Sequence, residues 1–570
     1  LPASGDSTSL QGIIKSLGTW AKLSGSASLY GELYTVPAGA QSRRPPGTAR
    51  MSVQATLTLF DQISLPFELM LSTEQVQFRQ PFNQFGIAPQ IGKNVRLYGG
   101  FHTLTFSPLS AGDVCVLGGG ADVKVGNIRI IGSVGQSQRA VQPRLSTTAA
   151  TTLLAPATFA QILILARVAY ESDSGVVVGI NVVRGRDDAA SLPLAEGEAR
   201  PATSDVQART EAKDGLTATI DAKLPLFSRM VNIEAELGAS RNGSLWLGVG
   251  NNALVDCGFG VGSPIVDASR LRLDYAARFI ASFDNPASPV SIRLRGEYVG
   301  PGYTTMGFPQ LVNDRFEADI APQLRLFNGR FVAGGSLGYA TDNLAGDRAT
   351  TASRLIGSVN LSAQFSDEFG LDAQYQNYGI RVAPPPNYGV VQPMTPVQQL
   401  QTQQVFGMMS FAPRASFRIG EYFQNVSLTA SYQQFSDVGP ETRRSTENAS
   451  VTARLLWNTT LQKLALTLNT GYTNNTSALA SFQATDIAVT AAHPLFNGSI
   501  TPSLTLSWTK SSESSGLDSR TSATLRATYR LTKQTDIVLN AQGNYYAYKP
   551  GSRSPSYAEA QMSVEIRQRF

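Results

Sequence analysis

Ten charged residues fall at alternating positions in one part of the chain: Arg272, Asp274 and Arg278, then Arg293, Arg295 and Glu297, then Arg315, Glu317, Asp319 and Arg325. A period of two places each group on one face of a strand, with apolar residues on the other. Such a face has two chemistries open to it. The arginines can line water and select among ions. Alternatively the two signs pair across strands and stiffen the wall. Other chemistry is sparse. His102 and His493 are the only histidines and lie far apart, so no nucleophile–base constellation stands out and the expectation is a non-enzyme. No set of ligands has zinc spacing. The acidic clusters Asp187/Asp188 and Asp342/Asn343/Asp347 lack the spacing of a calcium loop and read as solvated loop. No cofactor is expected. Basic residues are scattered singly, which speaks against a nucleic-acid face.

The elements that carry these residues repeat along the chain. In "LRLDYAARFI", Leu271, Leu273, Tyr275 and Phe279 oppose Arg272, Asp274 and Arg278. In "TSATLRATYRL", Leu525, Ala527, Tyr529 and Leu531 oppose Thr524, Arg526, Thr528 and Arg530. The final "AEAQMSVEIRQRF" sets Met562, Val564, Ile566 and Phe570 against Ser563, Glu565, Arg567 and Arg569. An uncharged stripe opposite a polar one is what lipid on one side of a strand requires, because an arginine near the bilayer midplane costs about 2–4 kcal/mol. Val564, Ile566 and Phe570 are expected to belong to a strand that closes against the first, with the aromatic at the membrane boundary.

Composition agrees. Apolar residues make up 42% of the 570 residues and charged residues 16%, against about 25% charged in typical soluble domains. Mean hydropathy is nevertheless −0.08, and no apolar run reaches the length of a membrane helix. The best stretch, "LLAPATFAQILILARVAY", is interrupted by Pro156, Gln161 and Arg167. Short turns ("KVGN", "LFSR", "LFNGR", "NTTLQK", "PLFNGS", "LTKQTD") alternate with longer polar connections over 184–214, 242–268, 299–314, 341–351, 381–402, 436–446 and 511–520. That alternation predicts a transmembrane antiparallel β-barrel of the outer-membrane type, all-β, with about 26 strands and both termini periplasmic. The count needs "FNQFGIAPQI" as a strand. The barrel is expected over 20–570, with 1–19 a periplasmic lead or small plug segment. The start at Leu1 without Met suggests a removed secretory signal.

Several stretches carry a resemblance: "RQPFNQFGIAP", "GGFHTLTFSPLSAGD", "VGPGYTTMGFPQLVNDRFEADIAPQLRLFNGR" and "TASRLIGSVNLSAQFSDEFGLDAQYQNYG". From about residue 20 onward the chain resembles a family of large outer-membrane barrel proteins of Bacteroidota and Chlorobi-like bacteria, mostly without assigned function. It is richer in Ala and Gly than that pattern. The resemblance implies the barrel and the outer membrane, and it implies no substrate.

Two loop regions draw attention. "RQPFNQFG" and "FSPLSAGD" combine Phe, Pro, Asn and Gly, so Phe82, Asn83, Phe85, Phe106 and Pro108 form either an inward-folded constriction or a loop packed by its own aromatics. The same alternatives hold for 300–310, "GPGYTTMGFPQ". Cys115 and Cys257 are expected on the same outer side. The compartment permits a bridge, but the sequence does not set the sulfurs within reach. The expected function is a porin-like or gated solute conduit. The alternative is a structural or assembly component with a plugged lumen, whose loops or rim bind other outer-membrane or periplasmic proteins. Outer-membrane lipid is a partner in either case.

Overall fold

The computed structural model describes residues 21–37, 44–60, 62–73, 84–141, 144–145, 153–155, 158–191, 212–245, 272–348, 350–383, 402–437, 448–477, 481–512, 516–552 and 555–570. Among them, 26 antiparallel strands follow one another around a single closed sheet. Each strand pairs with its neighbours in sequence. The last, Tyr557–Arg569, pairs with the first, Ala21–Thr35, in a register that sets Ile566 opposite Leu29. The Phe570 and Gly25 backbones exchange two hydrogen bonds, at 2.8 and 3.0 Å, and complete the seam. Closure leaves no unpaired edge, which is the condition for sheet to exist in hydrocarbon. No described helix is long and apolar enough to cross a membrane.

The period-two pattern has its physical outcome here. Leu273, Tyr275 and Phe279 are 75%, 61% and 45% exposed on the outer face of Arg272–Asp284. Leu525 and Tyr529, and Met562 and Ile566, are exposed likewise on their strands. These exposed residues form an apolar exterior around the wall, and the polar parity faces inward.

One end of the barrel is built from tight turns. The sequence "FNG" occurs at Phe327–Gly329 and Phe496–Gly498 and folds the same way twice. Asn328 and Asn497 take φ of 55° and 56°, a left-handed conformation that Asn tolerates and Gly329 and Gly498 continue. At the other end the strands are joined by longer connections, among them 105–113 and 300–314.

One strand is interrupted. Gln84–Ile87 and Gln90–Ile91 together fill a single place between Ile63–Ser72 and Val95–Leu104. Pro89 has no N–H for the ladder, yet the Ala88 N–H donates to Pro66 O at 2.9 Å and Leu97 N–H to Pro89 O at 2.8 Å. This corrects the reading of Phe85 as part of a constriction. Phe85 lies opposite Leu69 on the outer face and is 52% exposed there. Phe82, Asn83 and residues 1–19 lie outside the described residues.

Candidate functional site

Two connections do not leave the barrel mouth but fold back onto the inner wall. Residues 105–113 follow the Val95–Leu104 strand, and residues 300–314 follow Val290–Val299. Leu109, Ser110 and Ala111 are fully buried, as is Tyr303. The two segments hold each other directly. Tyr303 Oη donates to Leu109 O at 2.6 Å, Thr305 Oγ1 to Ser110 O at 2.6 Å, and the Gly112 N–H to Gly307 O at 3.2 Å. Burial pushes the Tyr303 phenol above the ordinary range, with the nearby Glu236 carboxylate adding to it, so the donor proton stays on.

The wall beneath them is prepared to receive them. A Cβ on Gly185 would stand 2.5 Å from Met306 Sδ, and one on Gly238 2.5 Å from Tyr303 Oη. Met306 packs with Leu104, Val114, Val116, Leu163, Leu165 and Val183 in a small apolar core inside the barrel. Leu109 and Tyr303 pack with Ala276 and Val299 in a second. Between the cores runs a polar hub. Ser107 Oγ donates to Glu236 Oε1 at 2.5 Å, and the Leu109 N–H reaches the same oxygen at 3.3 Å. Asn181 donates to Thr219 Oγ1 at 2.9 Å and to Asp221 Oδ1 at 2.7 Å, and Arg167 grips Asp221 with two nitrogens at 2.6 and 2.9 Å. Glu236 is 5% exposed and Asn181 fully buried. Such groups are tolerable inside only when hydrogen-bonded, as these are.

Phe106 is half-buried against the first core and its N–H donates to Ala111 O at 2.9 Å, whereas Pro108 is exposed. The aromatic of 105–113 therefore packs on the wall, and the partner of each segment is the other segment and the strands below. Sequence reasoning did not single out Glu236, Ser107, Asn181 or Arg167 with Asp221. The one available signal was the run of small inward residues, Gly179, Gly185, Gly215 and Gly238, on successive strands.

Seven of the ten charged residues, Arg278, Arg293, Arg295, Glu297, Arg315, Glu317 and Asp319, pair across neighbouring strands. Glu297, 5% exposed, receives Arg315 at 2.6 Å and Arg295 at 2.8 Å, with Arg278 at 3.7 Å. Arg315 also reaches Glu317 at 2.9 Å and Arg295 reaches it at 3.5 Å. Arg293 lies 3.9 Å from Asp319, and Arg325 3.3 Å from Asp284. Asp274 accepts the Gly302 N–H at 2.6 Å and so anchors the second inward segment. Arg272 opens its strand opposite Asn242.

Other sequence candidates have local partners. Asp187 accepts from Gln161 and from the Lys213 N–H, both at 2.9 Å, and Asp188 from the Ala190 N–H at 3.0 Å. Asp342 accepts the Ala352 N–H at 2.6 Å, while Asn343 closes its own turn onto Arg348 and Thr351. Among the described residues no group of three or more His, Cys, Asp or Glu is placed to hold a metal ion. Cys115 is half-buried on the Val114–Val125 strand; Cys257, and with it the bridge, lies outside the described residues. His102 and Ser133 meet at 2.7 Å, with His102 also 3.0 Å from Gly100 O, and both side chains are buried.

A closed antiparallel wall with an apolar exterior and a polar interior defines an outer-membrane β-barrel, and the protein resides in the bacterial outer membrane. Comparison with known proteins adds only general likeness. The chain is similar to the alcaligin outer-membrane receptor FauA of Bordetella pertussis, at 9% identity over 96% of this chain and 76% of that one, with a TM-score of 0.38. It is similar to the FrpB iron transporter of Neisseria meningitidis, at 8% identity over 99% and 83%, with a TM-score of 0.39. For OpdK of Pseudomonas aeruginosa, solved with vanillate, the figures are 8% over 63% and 93%, with a TM-score of 0.30. No family model and no curated protein matches the chain.

Proposed function

We propose that the protein is a conduit for solutes across the outer membrane, narrowed on one side by residues 105–113 and 300–314. The carrying observation is that these segments are lodged against the inner wall by mutual hydrogen bonds and two apolar cores, instead of extending from the mouth. A wall of 26 strands is far too wide for its own side chains to fill. Segments fixed inside it reduce the passage without a moving part. In this reading Arg278, Arg293, Arg295 and Arg315 line the lumen, but their charge is largely cancelled by Glu297, Glu317 and Asp319. The long connections face outward from the cell and the tight turns face the periplasm.

The test is conduction by the purified protein in planar bilayers, comparing the full chain with a variant in which residues 303–308 are replaced by a short Gly-Ser link. The narrowing predicts a larger single-channel conductance in the variant. Equal conductance in the two proteins would remove these segments from the path.

A further inference from the structure

The inner wall is chemically divided. The strands from Val114–Val125 to Arg315–Leu326 carry most of the inward charge, and the two inward segments lie on this side. From Thr351–Gln364 to Ile500–Ser512 the inward parity is dominated by hydroxyls and amides, as in Thr501, Ser503, Thr505, Ser507 and Thr509. Charges on this second arc are few. Among the described residues they are Arg354 and Asp437, at the two ends of the inward row beyond the aromatics, Arg418 beside a tight turn, the Arg414–Asp372 pair at 2.6 Å, and Arg454, which lies across Gly471 from Asp486.

An aromatic row crosses the same arc near the end with the long connections. The register sets Ile356 opposite Tyr378, Tyr378 opposite Phe406, and Phe406 opposite Phe435, on four successive strands. All four belong to the inward parity, since Leu355, Tyr375, Met409 and Tyr432 are the exposed outer residues of those strands. The next inward row toward the tight turns is Gln376, Met408 and Gln433, and the one after it Gln374, Ser410 and Ser431. A cleft of about 300 Å³ opens from this last row toward the tight turns, lined among others by Asn360, Ser362, Asp372, Gln374 and Ser410 and not by the aromatic row itself.

Aromatic faces on a wall with little charge, followed by side chains that both donate and accept, match one kind of solute. It has an apolar face to lay on a ring and many hydroxyl groups to pair with amides and alcohols. We infer that Tyr378, Phe406 and Phe435 form a binding row for uncharged, hydroxyl-rich chains of the oligosaccharide class, with Gln374, Gln376, Gln433 and Ser410 pairing their hydroxyls. This deepens the conduit reading and rests on it for transport, but binding can be measured apart from passage.

Maltohexaose and cellohexaose serve as neutral probes, and oligogalacturonate as the charged one. Titration calorimetry on the purified barrel in detergent should show binding of at least one neutral probe, with oligogalacturonate weaker. Phe406→Ala and Tyr378→Ala should each weaken that binding about tenfold, while Phe406→Tyr should restore it. Retained heat-modifiable migration shows that each variant is folded. In bilayers the bound neutral probe should interrupt the current. Absence of binding by both neutral probes, equal binding by the Ala variants, or preference for oligogalacturonate would overturn the inference. Binding without any conductance would leave the row standing and overturn the conduit.

Discussion

Glu297 is the residue on which the charged arc turns. Three guanidinium groups surround one carboxylate that is 5% exposed, so the site is stable only while that charge is present. Glu297→Gln leaves the arginines without their common partner. Removing one member of a fully buried pair costs about 3–5 kcal/mol. These arginines retain some solvent, so the expected loss is on the order of 2 kcal/mol, read as a lower unfolding temperature of the barrel in detergent. The same variant should shift the reversal potential toward anions. Tyr303→Phe acts on the inward segments by leaving the buried Leu109 carbonyl unpaired, which costs about 1–3 kcal/mol. The raised phenol also fixes a pH dependence. Its contribution is complete below the ordinary phenol value of about 10 and is lost as pH rises through the raised one. Scanning unfolding against pH should show the full Tyr303→Phe deficit up to about pH 10 and its progressive shrinking above. A deficit that persists unchanged into stronger alkali would deny the phenol this role.

At the scale of the element, strands were legible because alternation is a local signal. The faces of Leu273, Tyr275 and Phe279, or of Met562, Val564 and Ile566, follow from parity alone. The repeated turn at Phe327–Gly329 and Phe496–Gly498 was legible because Asn-Gly has few other uses between two strands. Phe85 was open between strand and loop because Gly, Pro and Phe together imitate a loop, while the pairing of Ala88 with Pro66 keeps that stretch in the wall. The meeting of Leu109 with Tyr303 was not legible, since they lie 194 positions apart and nothing in either segment alone specifies the other. The pairing of Glu297 with its arginines was open in the sequence as one of two readings, and only the register decides which residues touch. The closing strand supplies a prediction of its own. Deleting "SVEIRQRF" removes seven of the ten residue pairs of the seam with Ala21–Thr35 and its Phe570–Gly25 backbone bonds, and Phe570→Ser removes its terminal aromatic. Heat-modifiable protein in the outer membrane should fall sharply with the deletion and partly with Phe570→Ser. Unchanged levels after the deletion would mean that the wall closes elsewhere.

For the whole molecule, orientation follows from the sorting of turns and long connections. Tags inserted at 195–205 or 386–396 should be labelled on intact cells, whereas tags at Asn328/Gly329 or Lys533/Gln534 should be labelled only after the outer membrane is opened. The opposite pattern would invert the barrel. The most direct measurement of the central claim is the current carried by the purified chain in a planar bilayer under a potassium chloride gradient. The account predicts a stable conductance whose reversal potential lies close to zero, because the inward arginines are matched by carboxylates and the remaining wall is mostly hydroxyl and amide. Little change should follow when salt rises from 0.1 M to 1 M, although the screening length falls from about 10 Å to about 3 Å. A folded barrel with no conductance would contradict the account, and so would a strong preference for anions that fades with salt.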